Sequence, residues 1–305
     1  MHALDQRGPS RRLPLTPRRL EVWSTPGRAG AAAARVLYQP RHRARVAARN
    51  VARLLPVTSH RSFPAPLFEQ VVDQVTELTG IEPTAAAALH VRGTDRWLYA
   101  LTGADDRGVV VKVGNANDEG LAREASTLAA LRAHQSSLQV PVLRWHGQRD
   151  DSFALVTDIV KRRKGPDGVG LEDARSAACA LATMAGGFVV HGDLAPWNMI
   201  PSPHGLALVD WEKSRFAHDP LCDLAHYVIR VGALLNKWRP RAAVRHLVGE
   251  ESVGRRYLCD IGLEPESAAE HLRRYLERPT LRTATNSNIR RYEIEMAGIL
   301  SSNPT

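Results

Sequence analysis

At 305 residues the chain is long enough to bury one large core or two smaller ones without metal or disulfide support. Its three cysteines, Cys179, Cys222 and Cys259, stand far apart with no paired spacing, which argues against a disulfide framework and against zinc and fits a reduced, cytoplasmic setting. The net charge of +9 suggests nucleic acid or an anionic surface until it is located: residues 1 to 61 hold 13 Arg and no Lys against Asp5 and Glu21, a net +11, so residues 62 to 305 carry −2.

The basic segment opens Pro-rich in PSRRLPLTPRR and later mixes Ala, Val and Arg in RHRARVAARN at spacings compatible with a helix. Residues 1–61 read as a partly disordered Arg-rich extension leading into a packing helix. A basic arm of this kind could serve nucleic acid, lipid or an acidic partner, although charge runs are usually solvated faces. It also resembles an Arg-rich, acid-poor transit peptide, while Arg35 interrupts the apolar run that a secretory signal needs. No stretch reaches about 18 consecutive apolar residues, which argues against a membrane span.

After the arm, PLFEQVVDQVTELTG (66 to 80) carries apolar residues at helical spacing and ends on Gly80. The period then changes: AALHVRG, RWLYALTG and GVVVKVG read as strands, the last two joined by the turn ADDRG. DEGLAREASTLAALRAH is a helix with acidic residues at its start, and VPVLRWHG and SFALVTDIV are two more strands. From Leu171 the pattern is mostly helical, interrupted by FVVHGD, NMI, the turn PSPHG, and LALVDWE. The expected architecture is a two-lobed α+β protein: a small antiparallel five-stranded N-lobe over 62–160 and a mainly helical C-lobe over 161–305 with an embedded hairpin.

That hairpin concentrates polar groups. In HGDLAPWNMI, Asp193 and Asn198 interrupt an otherwise apolar run, and Asp210 closes the second strand 17 residues after Asp193. An unpartnered buried carboxylate is expensive, so something must bind or neutralise these groups. A hairpin brings its two ends together, and carboxylate and amide oxygens at one mouth suit Mg²⁺.

HGDLAPWN resembles the catalytic loop of the aminoglycoside phosphotransferase and choline kinase group, the small-molecule branch of the protein kinase-like fold, and LVDWE resembles its metal-binding segment. The resemblance covers roughly residues 85 to 230. It implies that Asp193 accepts or positions the proton of an attacking hydroxyl, that Asn198 and Asp210 hold Mg²⁺, and that Lys112 pairs with the phosphates of ATP or GTP, oriented by Glu124 rather than Glu119. Thr157, Asp158, Ile159 and Val160 would meet the nucleotide base through backbone groups. Asp223 matches a second helical-lobe aspartate that supports the catalytic loop, and His191 reads as a structural residue bonding the loop backbone.

Two departures stand out. A GxGxxG phosphate loop is absent, leaving Arg92 to Asp95 to cover the phosphates, and Trp211 and Glu212 follow the metal aspartate where protein kinases have Phe and Gly, implying a fixed metal loop. Eight residues, Trp211 to His218, separate Asp210 from Asp219-Pro220, too few for a peptide-cradling activation segment, which favours a small hydroxyl-bearing acceptor. From Ser214 onward, 14 Lys and Arg face 11 Asp and Glu, so a polycationic acceptor is not favoured over a sugar, polyol or anionic hydroxyl compound. The alternative is an inactive kinase-like nucleotide-binding or scaffold protein acting through its basic arm. Nucleic-acid binding through that arm would show as strongly salt-dependent affinity.

Overall fold

The computed structural model describes residues 11–12, 20–25, 27–37, 68–91, 93–105, 107–132, 137–163, 168–184, 189–216, 219–278 and 287–302. The chain divides into two units, residues 1–125 with 141–159 and residues 126–140 with 160–305. The division falls after Ile159, and residues 126–140 join the second unit.

The first unit begins with two short strands, β1 (Arg11–Arg12) and β2 (Leu20–Ser24), and two helices, α1 (Gly27–Leu37) and α2 (Phe68–Thr79). Strands β3 (Pro83–Val91), β4 (Trp97–Gly103) and β5 (Gly108–Asn115) precede helix α3 (Glu119–Leu131). Beyond β6 (Leu138–Gln139), which belongs to the second unit, come β7 (Leu143–Arg149) and β8 (Ser152–Asp158). The sheet of this unit runs β1-β2-β3-β4-β5-β8-β7, and every neighbouring pair is antiparallel.

Strand alternation decides what each face carries. Tyr99, Leu101, Val109, Val111 and Val113 form one apolar face, packed with Val71 and Val75 of α2. Leu98 lies opposite Lys112 and Ala100 opposite Val110, so these four share the other face. There Ala33 and Ala34 of α1 pack with Ala87, Leu89 and Ala100, and Leu98 and Ile159 join the cluster. Alanine on both partners lets helix and sheet approach closely.

This corrects the expectation of an extension through residue 61. Residues 20–24 add a strand beside β3 and residues 27–37 form a helix on the sheet, because Trp23, Ala33 and Ala34 supply apolar surface that the arginine count concealed. The sheet accordingly has seven strands among the described residues, not five. Most of the PSRRLPLTPRR run, the RHRARVAARN stretch and Arg92 lie outside the described residues.

The second unit holds α4 (Leu171–Ala182), strands β9 (Val189–Val190), β10 (Met199–Ser202), β11 (Gly205–Leu208) and β12 (Arg215–Phe216), then helix α5 (Cys222–Leu235). Helices α6 (Pro240–Val248), α7 (Val253–Asp260), α8 (Ala268–Glu277) and α9 (Ser287–Ser302) complete it. The expected hairpin is β10–β11, extended by β6 in parallel, while β9 pairs with β12. Gly249 ends α6, and Ser252 caps α7 by accepting the Arg255 N–H at 3.1 Å. Helix α5 packs against α4, α6, α8 and α9 and buries nine of its residues, including the polar Asp223 and His226. A helix buried on nearly all sides takes polar residues only where they find partners. Among the described residues no helix is long and apolar enough to cross a membrane.

Candidate active site

The residues singled out in the sequence fall into two clusters, one in each unit. In the first, Lys112 leaves β5 on the face opposite Val111 and Val113, and its Nζ lies 2.7 Å from Glu124 Oε2 and 3.0 Å from Oε1. Glu124 is brought there by α3, whose Leu121 and Ala125 pack on Phe153 and Leu155, whereas Glu119 is exposed. The carboxylate is 3% exposed and the lysine 16%, so the pair is largely withdrawn from water. Asp118 starts the helix: its Oδ1 accepts the N–H groups of Gly120 and Leu121 at 3.1 Å, and Arg96 grips both of its oxygens at 2.7 Å.

The second cluster surrounds Asp193. Asp223 of α5 accepts the His191 N–H at 2.7 Å and the Gly192 N–H at 2.9 Å, tying the loop to the buried helix. Burial pushes the Asp223 carboxyl up, and these donors oppose that shift. His191 is buried, and burial pushes it below its ordinary value, so the ring is neutral. Its Nδ1 accepts the Asp193 N–H at 3.3 Å and its Nε2 faces the Val209 carbonyl at 3.1 Å, an arrangement that assigns the ring proton to Nε2. Gly192 adopts φ +78°, and a Cβ there would meet the Lys213 carbonyl oxygen at 2.2 Å. That close approach sets Lys213 beside Asp193.

The Asp193 carboxylate is held at both oxygens. Oδ1 lies 2.9 Å from His226 Nε2, and Oδ2 accepts from Lys213 Nζ at 3.2 Å. Burial would raise this carboxyl, but the His226 hydrogen bond together with the positive charges of Lys213 and Arg230 outweighs it and holds Asp193 well below the usual carboxylate range. Burial also pushes His226 down, against the pull of Asp193. We take His226 as neutral, so it offers Asp193 an N–H dipole while Lys213 and Arg230 supply the charge.

Asn198 and Asp210 both stand at the hairpin mouth. The Val209 N–H donates to the Asn198 carbonyl at 3.0 Å, continuing the β10–β11 ladder and putting Asp210 one residue beyond that pair. Asn198 Nδ2 donates to the Asp193 main-chain oxygen at 2.9 Å, which commits the amide nitrogen and leaves Oδ1 as the side chain's acceptor. Asp210 sits at φ +73°, a left-handed conformation that a non-glycine residue keeps only when its surroundings impose it. On one side the Val209 carbonyl is bonded to His191; on the other, fully buried Trp211 donates Nε1–H to Leu208 O at 3.0 Å. Trp211 thus anchors the loop in the core. An amide oxygen and a carboxylate are hard donors that fit Mg²⁺, which usually takes one or two protein carboxylates and completes its shell with phosphate and water.

Residues 157–160 present a mixed picture. Thr157 is buried opposite Val110; the Asp158 N–H is used by the Val142 carbonyl and the Ile159 N–H by the Gly108 carbonyl. The Asp158 carboxylate is paired with Arg144 at 2.7 Å on both oxygens. Sequence reasoning missed Lys213, His226 and Arg230. For His226 a signal existed: it follows Asp223 by three residues, so both share one helix face, and a helix that reaches the loop with Asp223 also reaches it with His226.

No family model matches the chain, and no curated protein matches it either. Solved structures do. The chain is similar to WbdD, crystallised with the kinase inhibitor LY294002, at 17% identity and TM-score 0.40 over 66% of this chain and 48% of that one, so it spans about half of WbdD's length. It is similar to a provisionally named aminoglycoside phosphotransferase from Ralstonia eutropha JMP134 at 12% identity and TM-score 0.48, over 76% of this chain and 95% of that one. For APH(2")-IIa, solved as a ternary complex with streptomycin and ATP, the values are 12% and 0.46 over 78% of this chain and 97% of the other.

Proposed function

We propose that the chain is a Mg²⁺-dependent phosphotransferase that moves the γ-phosphoryl group of ATP or GTP to a hydroxyl of a small molecule. The observation that supports this most is the wiring of the second unit: Asn198 tied to the Asp193 main chain, Asp210 held at the same hairpin mouth, and an Asp193 carboxylate fixed at both oxygens. Such an arrangement suits positioning more than strong base chemistry. An acidic Asp193 is a weak base, and phosphoryl transfer through a loose transition state asks for orientation of the nucleophile and neutralisation of charge.

In this reading the acceptor hydroxyl hydrogen-bonds to Asp193. The new bond forms between its oxygen and Pγ, the bond from Pγ to the bridging oxygen breaks, the nucleoside diphosphate leaves, and the hydroxyl proton passes to Asp193. Lys112, oriented by Glu124, offers its ammonium to phosphate oxygens. Asn198 Oδ1 and Asp210 would hold Mg²⁺, which supplies charge neutralisation on the triphosphate. Residues Thr157 to Val160 remain our proposal for the base contact, with the amides of Asp158 and Ile159 already spent. The ammonium of Lys213 beside Asp193 disfavours a polycationic acceptor and favours a neutral or anionic hydroxyl compound.

One observation favours a second reading, an inactive kinase-like scaffold. Helix α1 lies on the same sheet face as Lys112 and clusters with Ile159, where a nucleotide held by Lys112 and residues 157–160 would also lie. Thermal unfolding separates the two. At 100 times Kd a nucleotide stabilises its protein by about 2.7 kcal/mol, a rise of roughly 5–10 °C. Active-site binding predicts that rise with ATP or GTP plus Mg²⁺ and its loss in Asp210→Ala. A wild type that responds to neither nucleotide would leave the scaffold reading.

A further inference from the structure

We propose that His226 is a positioning residue for Asp193, its Nε2–H donating to Oδ1 and its Nδ1 accepting the Tyr275 hydroxyl. This rests on the phosphotransfer reading of Asp193.

Two groups claim the same nitrogen. His226 Nε2 stands 2.9 Å from Asp193 Oδ1 and 2.9 Å from Arg230 Nε. A ring nitrogen carries either a hydrogen or a lone pair, so it cannot donate to the first and accept from the second. A bare Nε2 would turn its lone pair toward a carboxylate oxygen in a place with little water, since the His226 side chain is 5% exposed and that of Asp193 14%. An Nε2–H instead makes a hydrogen bond to an ionised acceptor, one of the stronger kinds.

Mobility points the same way. Asp193 is pinned through Asp223, His191 and Asn198, whereas Arg230 has a long stem and can shift its guanidinium away. The far side of the ring agrees with this choice. Tyr275 is fully buried, burial holds its hydroxyl protonated well above the ordinary range, and its oxygen lies 3.1 Å from His226 Nδ1. Both hydrogen bonds then run in one direction, from Tyr275 through His226 to Asp193. Without this strut the carboxylate, held by Lys213 alone, would turn about its Cα–Cβ and Cβ–Cγ bonds and present its oxygens to an acceptor hydroxyl in more orientations.

The test uses the full chain labelled with ¹⁵N-histidine, the His226 signals being those lost in His226→Gln. A two-bond ¹H–¹⁵N spectrum is expected to show a protonated Nε2 and a bare Nδ1. A protonated Nδ1 with a bare Nε2 would give the nitrogen to Arg230 and overturn the proposal. Phosphate release from Mg-ATP, with water as acceptor, supplies the functional arm. His226→Phe is expected to lower kcat about 10- to 100-fold with the nucleotide KM unchanged, the loss that one charge-assisted hydrogen bond represents. His226→Gln, which keeps an N–H donor, should recover most of it. Equal losses in the two variants would reduce His226 to a packing residue. If the wild type releases no phosphate, the phosphotransfer reading is at fault, and the spectrum still decides the His226 contact.

Discussion

The Lys112–Glu124 pair allows the structure to be tested without any substrate. Lys112→Met would leave a carboxylate that is 3% exposed without the Lys112 ammonium, a cost of about 3–5 kcal/mol for a broken buried pair. Glu124→Leu would take one carboxylate from an ammonium that is 16% exposed, with more access to water, and should cost less, roughly 2–3 kcal/mol. Replacing both with apolar residues of similar volume removes the desolvation penalty together with the attraction, so the double variant is expected within about 1 kcal/mol of wild type. Urea unfolding of the four proteins therefore predicts a coupling of several kcal/mol. A double variant destabilised by the total of the two single effects would refute the buried pair. Such a stable double variant should also lose any thermal response to Mg-nucleotide, since a pair that could be replaced without loss of stability is kept for what it binds.

Gly192→Ala should destabilise the chain by about 3 kcal/mol or more, because the new Cβ meets the Lys213 carbonyl at 2.2 Å at a positive φ; a melting point unchanged in calorimetry would mean that the loop packs differently. Asp118 is held below its ordinary value, with burial opposed by the Arg96 pair and the Leu121 N–H. The unfolded chain takes up its proton first as pH falls, so this stabilisation is complete above about pH 3.9 and is lost as pH falls through the lower folded value. Asp118→Asn should flatten the acid limb of the stability curve, and parallel wild-type and variant curves would contradict it. Ala34→Glu, at a contact of α1 with the Lys112 face, should enlarge the thermal response to Mg-nucleotide if α1 competes for that face. An unchanged or smaller response would separate α1 from the binding face.

The residues that were legible in the sequence share a local origin. Asp193, Asn198 and Asp210 belong to one hairpin, so spacing alone brought them to one mouth, and Lys112 and Glu124 sit on a strand and the helix that follows it. His226, Lys213 and Tyr275 reach Asp193 or its histidine from 33, 20 and, for the Tyr275–His226 pair, 49 residues away. The His226 and Tyr275 contacts depend on how α5 and α8 pack, and that of Lys213 on the close approach of its carbonyl to Gly192, none of which a local period reports. The α1 error had another cause: a helix rich in alanine carries a weak apolar signal, and only the alanine run of β3 shows that its surface is meant to be covered. In α5 the apolar pattern on nearly every side signalled burial, and of its two buried polar residues the resemblance picked out Asp223 but not His226.

The central claim is transfer of a phosphoryl group to a carbon-bound hydroxyl, and ³¹P NMR of the full chain with Mg-ATP or Mg-GTP and a pool of neutral and anionic polyols tests it most directly. The account predicts loss of the γ-phosphate signal, growth of a nucleoside diphosphate and of a phosphomonoester, and none of these with Asp193→Asn. Unchanged spectra with both nucleotides, for the wild type and for Ala34→Glu alike, would contradict it.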